Sequence, residues 1–206
     1  MSTNVSNSAE PSRISPEPTF VDWTTGTLTG PGIEEGVKTL GQLEGLFRDQ
    51  AAWRKMDPDT EVYKVSYWRP VPDGTLGGVF WGATVLQPGR VGDEYFMTHG
   101  HFHANRDRAE IYATVKGTGA MLFMDEAGKT WSQEMKPGTV HYIPGNVAHR
   151  VVNTGDEPLT FLASWPSNFA PSSIPGPVSV PVAQSTKVGS GLIREGSALF
   201  ETFVLM

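Results

Sequence analysis

Glycine and proline interrupt this chain in nearly every block of ten residues, and that punctuation limits its fold more than any other property of the sequence. Relative to Ala, a helix interior loses about 1 kcal/mol for each Gly and about 3 kcal/mol for each Pro, so no long helix or coiled coil tolerates such spacing. Pro88-Gly89, Gly117-Thr118-Gly119, Pro137-Gly138 and Pro144-Gly145 separate short stretches enriched in Val, Thr, Tyr, Phe and Trp. That is how strands joined by tight turns read. The strands expected are Glu61–Arg69, Gly78–Leu86, Glu94–Ala104, Ala109–Val115, Ala120–Met124, Thr130–Glu134, Thr139–Ile143, Arg150–Asn153 and Leu159–Trp165, with a hairpin turn at Asp125–Gly128. Short strands with turn signals every ~8–12 residues predict an all-β protein, either a double-sheet jelly roll or a small barrel.

Three segments depart from this pattern. Residues 1–19 hold five Ser and three Pro and no aromatic residue, so they bury little apolar surface and are expected to be flexible. Thr39–Met56 spaces Leu40, Leu43, Leu46, Phe47, Ala51 and Trp53 in a helical manner, as one short helix or a helical turn plus a helix, stopped by Asp57-Pro58. Residues 166–206 contain five Pro, seven Ser and four Gly and no His, Trp or Tyr. The main domain is therefore expected to span 20–165, followed by an atypical tail at 166–206.

Charge and cysteine content exclude several functions. The formal net charge is -6 and no run of Lys or Arg occurs, which argues against a nucleic-acid partner. There is no Cys, hence no disulfide framework, thiolate nucleophile or Cys-based zinc site. No apolar stretch is long enough to span a membrane as a helix, and the N-terminus lacks a signal-peptide pattern, so a cytoplasmic protein is expected.

All five His lie between residues 99 and 149. Side chains alternate faces along a strand, so His101 and His103 project together and can clamp one ion. Glu110 follows after six intervening residues, enough to turn and return on a neighbouring strand beside Tyr112. His149 comes after the Pro144 turn and offers a fourth ligand. Three imidazoles and one carboxylate suit one divalent first-row metal ion, with positions left over for water or substrate. His99 is set apart because Gly100 can kink the strand, and His141 is expected to be structural.

These residues carry a resemblance. Gly100-His101-Phe102-His103, Glu110 and Gly117 resemble the first cupin motif, and Gly138, Pro144, His149 and Asn153 resemble the second. The longer pattern Thr84-x3-Pro88-x3-Gly92-x-Glu94-x3-Thr98-x-Gly100-His101-x-His103, followed by Glu110-x-Tyr112, is similar to the cupin-type phosphoglucose isomerases over about residues 20–165. The resemblance implies a cupin double-stranded β-helix with a short N-terminal helical segment. It implies interconversion of glucose 6-phosphate and fructose 6-phosphate, and a homodimer. It makes His101, His103, Glu110 and His149 ligands of a metal ion, Fe2+ first, with Mn2+, Ni2+ and Zn2+ also suited. Thr84, Thr98, Gly100 and Tyr63 match phosphate-holding positions and Tyr112 a tyrosine beside the sugar; Glu110, the one acid placed at the metal, is the expected catalytic base if a proton moves between C1 and C2, whereas a hydride shift would need less from it. Strand propensity alone is reason enough for the two threonines. Two other readings share the ligands: a cupin dioxygenase with an open iron site, and a sugar-phosphate-binding cupin without turnover. Past Trp165 the resemblance stops, because the Tyr-containing, Gly-rich segment it implies is absent.

Overall fold

The computed structural model describes residues 16–168 and two short paired strands, Val180–Pro181 and Leu199–Phe200. Most of the expected flexible segment 1–19 and of the tail 166–206 lies outside the described residues. A small hairpin, β1 (Phe20–Val21) and β2 (Leu28–Thr29), comes first. Then follow β3 (Ile33–Thr39), a 3-10 turn (Gly41–Leu43), α1 (Gln50–Trp53), β4 (Glu61–Trp68), β5 (Val79–Leu86), β6 (Arg90–Val91), β7 (Glu94–Tyr95), β8 (Glu110–Lys116) and β9 (Gly119–Met124). β10 (Thr130–Met135), β11 (Val140–Ile143), β12 (Ala148–Asn153) and β13 (Leu159–Pro166) complete the barrel.

Two antiparallel sheets form it. One runs β11-β8-β13-β5-β4-β3 and the other β10-β9-β12. Leu86, Tyr112 and Phe161 of the first join Met121, Phe123 and Val151 of the second in one core. The cause is local alternation: on β8, Glu110, Tyr112 and Thr114 are buried while Ile111 is exposed. The outer face of the larger sheet is partly covered by the first hairpin, where Leu28 packs with Ala83 and Leu162.

The double-sheet barrel agrees with the expected fold, and three local differences have physical reasons. The helical stretch within Thr39–Met56 is only a 3-10 turn and a four-residue helix. Gly45 adopts φ +82, which a helix cannot continue through, and Asp49 then starts α1 by accepting the Ala52 N–H at 2.8 Å. The apolar spacing still works, since Leu40, Leu43, Leu46 and Phe47 are all buried. Second, β3 was not apparent in the sequence: Ile33-Glu34-Glu35-Gly36-Val37-Lys38-Thr39 carries three charges and a Gly, as edge strands do. Third, Glu94–Ala104 is not one continuous strand. Only Glu94–Tyr95 is regular, and the rest touches β12 through bridges Met97↔Val152 and His101↔His149. Four residue steps on one side match three on the other, so one extra residue is accommodated between Met97 and His101, as in a bulge.

Candidate metal centre and its cavity

That bulge sorts the histidines. His101 exchanges backbone hydrogen bonds with His149, His101 N–H to His149 O at 3.2 Å and His149 N–H to His101 O at 3.1 Å. The two rings consequently sit 4.6 Å apart, centroid to centroid. His103 lies 5.6 Å from the His101 ring and 5.2 Å from the His149 ring. Glu110, first residue of β8, points inward between them: its Oε2 is 3.2 Å from His103 Nε2 and 3.4 Å from His149 Nε2. One potential ligand atom from each of His101, His103, Glu110 and His149 falls within 4.8 Å of all the others. Glu110, His103 and His149 are at most 5% exposed. His99 borders the cavity but is not in this group, and His141 lies elsewhere, bonded to Gln133 Oε1 at 2.8 Å and Thr139 Oγ1 at 3.0 Å.

The donor chemistry fits a cation. A carbonyl only accepts, so the 2.7 Å contact of His103 Nδ1 with Arg108 O puts the ring hydrogen on Nδ1. In the neutral ring the Nε2 lone pair then faces a carboxylate oxygen at 3.2 Å, an apposition of two acceptors that a metal ion between them resolves. Two donors about 2.1 Å from one ion at a right angle lie about 3 Å apart, close to the separations here. With no ion present, burial pushes the Glu110 carboxyl up, but where a proton takes the ion's place on Nε2 the hydrogen bonds and charges of His103 and His149 outweigh burial and hold the group at about 2. Burial, reinforced by His149 and His103, keeps His101 well below the ordinary imidazole value. The centre is thus an ionised carboxylate beside an imidazole that resists protonation, both of which favour metal binding.

The loop from His103 to Glu110 is held on two sides. Asn146 donates its N–H to Arg106 O at 2.5 Å, and Arg108 Nε donates to the Asn168 side chain at 3.0 Å. Gly145 permits the first contact: a Cβ there would lie 2.9 Å from Arg106 O.

The group opens onto a cavity of about 430 Å³. Its walls include Tyr63, Thr84, Thr98, Tyr112, Phe161 and Trp165. Tyr112 stacks on Phe161 with centroids 4.9 Å apart, and its hydroxyl is 3.4 Å from His149 Nε2. Burial and then the Glu110 charge raise Tyr112 well above the usual phenol value, while burial pushes Tyr63 up to about 12, so both stay neutral O–H groups. Thr98 Oγ1 accepts the Val151 N–H at 3.0 Å. Gly100 is buried between His99 and His101 and does not itself border the cavity.

Three contributors escaped the sequence reading as functional groups. Lys38 lines the cavity from the unforeseen β3. Glu94 was visible only as a motif letter; its Oε2 accepts the Arg48 and Asp49 N–H groups at 2.7 and 3.2 Å. Arg150 is 1% exposed, lowered to about 10 by burial against the opposing pull of the Glu94 charge. Alternation on β12 would have placed Arg150 opposite His149, but no sequence signal named its partner.

An antiparallel jelly-roll barrel with a buried His-His-Glu-His group in its interior, one that could hold a metal ion, defines the cupin class. The family model for glucose-6-phosphate isomerase (GPI) matches residues 37–173. Glucose-6-phosphate isomerase of Pyrococcus horikoshii is 43% identical over 150 residues, covering 72% of this chain and 77% of the relative. That of Thermococcus onnurineus is 44% identical over 152 residues with the same coverage. The chain belongs to the glucose-6-phosphate isomerase family. Among solved structures, Bacillus subtilis oxalate decarboxylase aligns with 54% of this chain and 28% of its own length, at 25% identity and a TM-score of 0.41. No helix among the described residues is long and apolar enough to cross a membrane.

Proposed function

We propose that this protein is a metal-dependent aldose–ketose isomerase that interconverts glucose 6-phosphate and fructose 6-phosphate. The observation that carries the reading is the convergence of His101, His103, Glu110 and His149 at a cavity walled by hydroxyl groups, in a chain of this family. These four residues would hold one divalent ion, Fe2+ first and Mn2+, Ni2+ or Zn2+ as alternatives. When bound, the ion acts as a Lewis acid toward the oxygens on C1 and C2 of the sugar. Glu110 is ionised at any physiological pH and is the acid–base group in reach of the reacting carbons, carrying the proton between C1 and C2. Tyr112, neutral and fixed by Phe161, donates its O–H toward the sugar. Thr84, Thr98 and Tyr63 supply donors at the phosphate end, whereas Gly100, buried away from the cavity, supplies none there directly.

The assembly proposed is a homodimer. Ile111 and its register partner Tyr142, with Val140, leave a row of exposed apolar side chains on the outer face at the β11 edge, which a second copy would cover. A dianionic sugar phosphate as substrate points to a cytoplasmic enzyme.

The deciding experiment is a coupled assay of fructose 6-phosphate to glucose 6-phosphate, before and after chelation and after adding back each metal. Chelator-sensitive, metal-restored turnover is expected. Sugar-phosphate binding without turnover, or oxygen uptake on iron loading, would overturn the isomerase reading.

A further inference from the structure

The four potential metal ligands come from three separate stretches of chain. His101 and His103 belong to the bulged segment, Glu110 to the start of β8 and His149 to β12. One residue, which does not border the cavity, joins all three. Arg106 lies in the loop that leads from His103 to Glu110. Its guanidinium carbon sits over the ring of Phe102, the residue between His101 and His103, at 3.8 Å from the centroid. Its carbonyl accepts the N–H of Asn146, three residues before His149.

Both holds are shaped locally. Phe102 is in a segment without regular strand pairing, yet it is buried, and the guanidinium lies across its ring. A planar cation at that distance gains packing and attraction to the negative face of the ring. On the other side, Asn146 takes the left-handed conformation at φ +61, and Gly145 before it leaves room for the loop that a Cβ would fill. A third neighbour matters less: Glu126 Oε1, in the turn between β9 and β10, is 3.7 Å from Arg106 Nη1, an open and solvated pair. A metal ion needs its donors in place together. Segments that stray apart must be ordered again when the ion binds, and that ordering subtracts from affinity. Contacts that restrain the loop on both sides reduce the cost.

Resting on the reading that these four residues hold a divalent ion, we infer that Arg106 is a positioning residue of that centre: its guanidinium on Phe102 and its carbonyl on Asn146 tie together the three stretches that carry the ligands. Arg106 touches neither ligand nor substrate cavity and acts through its neighbours. Any residue at this place would offer the carbonyl, so the side chain's share of the effect rests on the Phe102 contact. That contact is where the sequence of the loop tunes affinity for the ion.

The test compares Arg106→Met, which keeps an aliphatic side chain and loses the planar cation, with Arg106→Lys, which keeps the charge without the planar group. Glu126→Gln removes the ion pair alone. Full-length protein is stripped of metal, and Co2+ affinity is measured by chelator competition. The visible spectrum of bound Co2+ and the melting temperature of the stripped protein are recorded alongside. Arg106→Met is expected to weaken Co2+ binding by roughly 10-fold, the low end for a supporting group at a metal site, because Arg106 acts through Phe102. The Co2+ spectrum shifts with it, the stripped protein melts close to wild type, Arg106→Lys falls between, and Glu126→Gln binds as wild type does. If Arg106→Met fails to fold, Arg106→Lys carries the test, with a loss of a few-fold expected. Wild-type affinity in the Arg106 variants overturns the inference and leaves the metal reading intact. So does an equal loss in Glu126→Gln, which assigns the effect to the ion pair, or a lower melting temperature with an unchanged Co2+ spectrum, which marks a merely structural role. Wild-type protein that binds no Co2+ overturns the metal reading instead.

Discussion

Replacing Glu94 by alanine tests how this fold accommodates a buried arginine. Glu94 is 1% exposed and so is Arg150, and the Glu94 charge is the largest influence opposing the desolvation of that guanidinium. Glu94 Oε2 also accepts the N–H groups of Arg48 and Asp49 just before α1. Arg48 and Asp49 are exposed, so water replaces much of what their N–H groups lose, at a cost of about 1 kcal/mol each. Arg150 is buried, with Nη1 3.1 Å from Met97 Sδ, so water cannot replace the Glu94 charge, and leaving a buried charge uncompensated costs about 3–5 kcal/mol. The sum, about 5–7 kcal/mol, is a third or more of the stability of an ordinary domain, about 5–15 kcal/mol. Urea denaturation of metal-stripped protein, followed by tryptophan fluorescence and circular dichroism, reads the change as a lower midpoint at unchanged slope. Glu94→Leu with Arg150→Met removes both charges and is expected to recover most of the loss, since apolar replacement of a buried pair is often neutral or better. A single-variant loss below about 1 kcal/mol, or a double variant as unstable as Glu94→Ala, refutes the electrostatic account.

Other consequences follow from the same geometry. Glu110→Gln keeps the shape of the site but removes its acid–base group, so kcat falls by roughly 10²- to 10⁴-fold; stopped coupled assays at saturating metal measure it, and near-normal turnover would reject the assignment. Asn168→Ala removes one of two holds on the Arg108 side chain, the other being Asp107, and the backbone carbonyl of Arg108 fixes the tautomer of His103, so metal affinity weakens by up to roughly 10-fold in a chelator competition while the fold's melting temperature barely moves; an unchanged affinity counts against this support. Metal-stripped protein loses stability on acidification in two stages. Folded His101 binds a proton less readily than its unfolded form, so stability declines as pH falls below 6.5, and Glu110, held at about 2 rather than 4.5, adds a loss between those values. A melting temperature flat from pH 7.5 to 5 in the stripped protein would contradict the first stage.

Local chemistry explains which parts of this structure could be read from the sequence. The interior strands announced themselves because burial on one face forces alternation, as in Glu110-Ile111-Tyr112-Ala113-Thr114, and because Pro137-Gly138 and Pro144-Gly145 mark their ends. The candidate ligand group was legible for a similar reason: few other roles need three imidazoles and a carboxylate together, and the structure brings one donor atom from each within 4.8 Å of the others. The geometry that brings them together was not legible. The i, i+2 spacing suggested a regular strand carrying His101 and His103, whereas the segment is bulged and joins β12 only by bridges, so His101 meets His149 through backbone pairing that no spacing rule encodes.

The charged residues mark the limit of the sequence more sharply. Lys38, Glu94 and Arg150 are ordinary letters in a chain of net charge -6, and nothing local separates them from Lys64 or Arg69, which pair with the exposed Glu35 and Glu34 of β3. What distinguishes them is which wall of the barrel they enter, and that depends on register: Lys38 against Tyr63 on β4, Arg150 one residue beyond the pairing of His149 with Phe123 on β9. Slipping either pairing by a single residue would turn the lysine outward and exchange the positions of His149 and Arg150. The β3–β4 register sets the place of Lys38 and the β9–β12 register those of His149 and Arg150, so a substitution that shifts only the β3–β4 ladder should leave the affinity of the candidate ligand group for a metal ion unchanged.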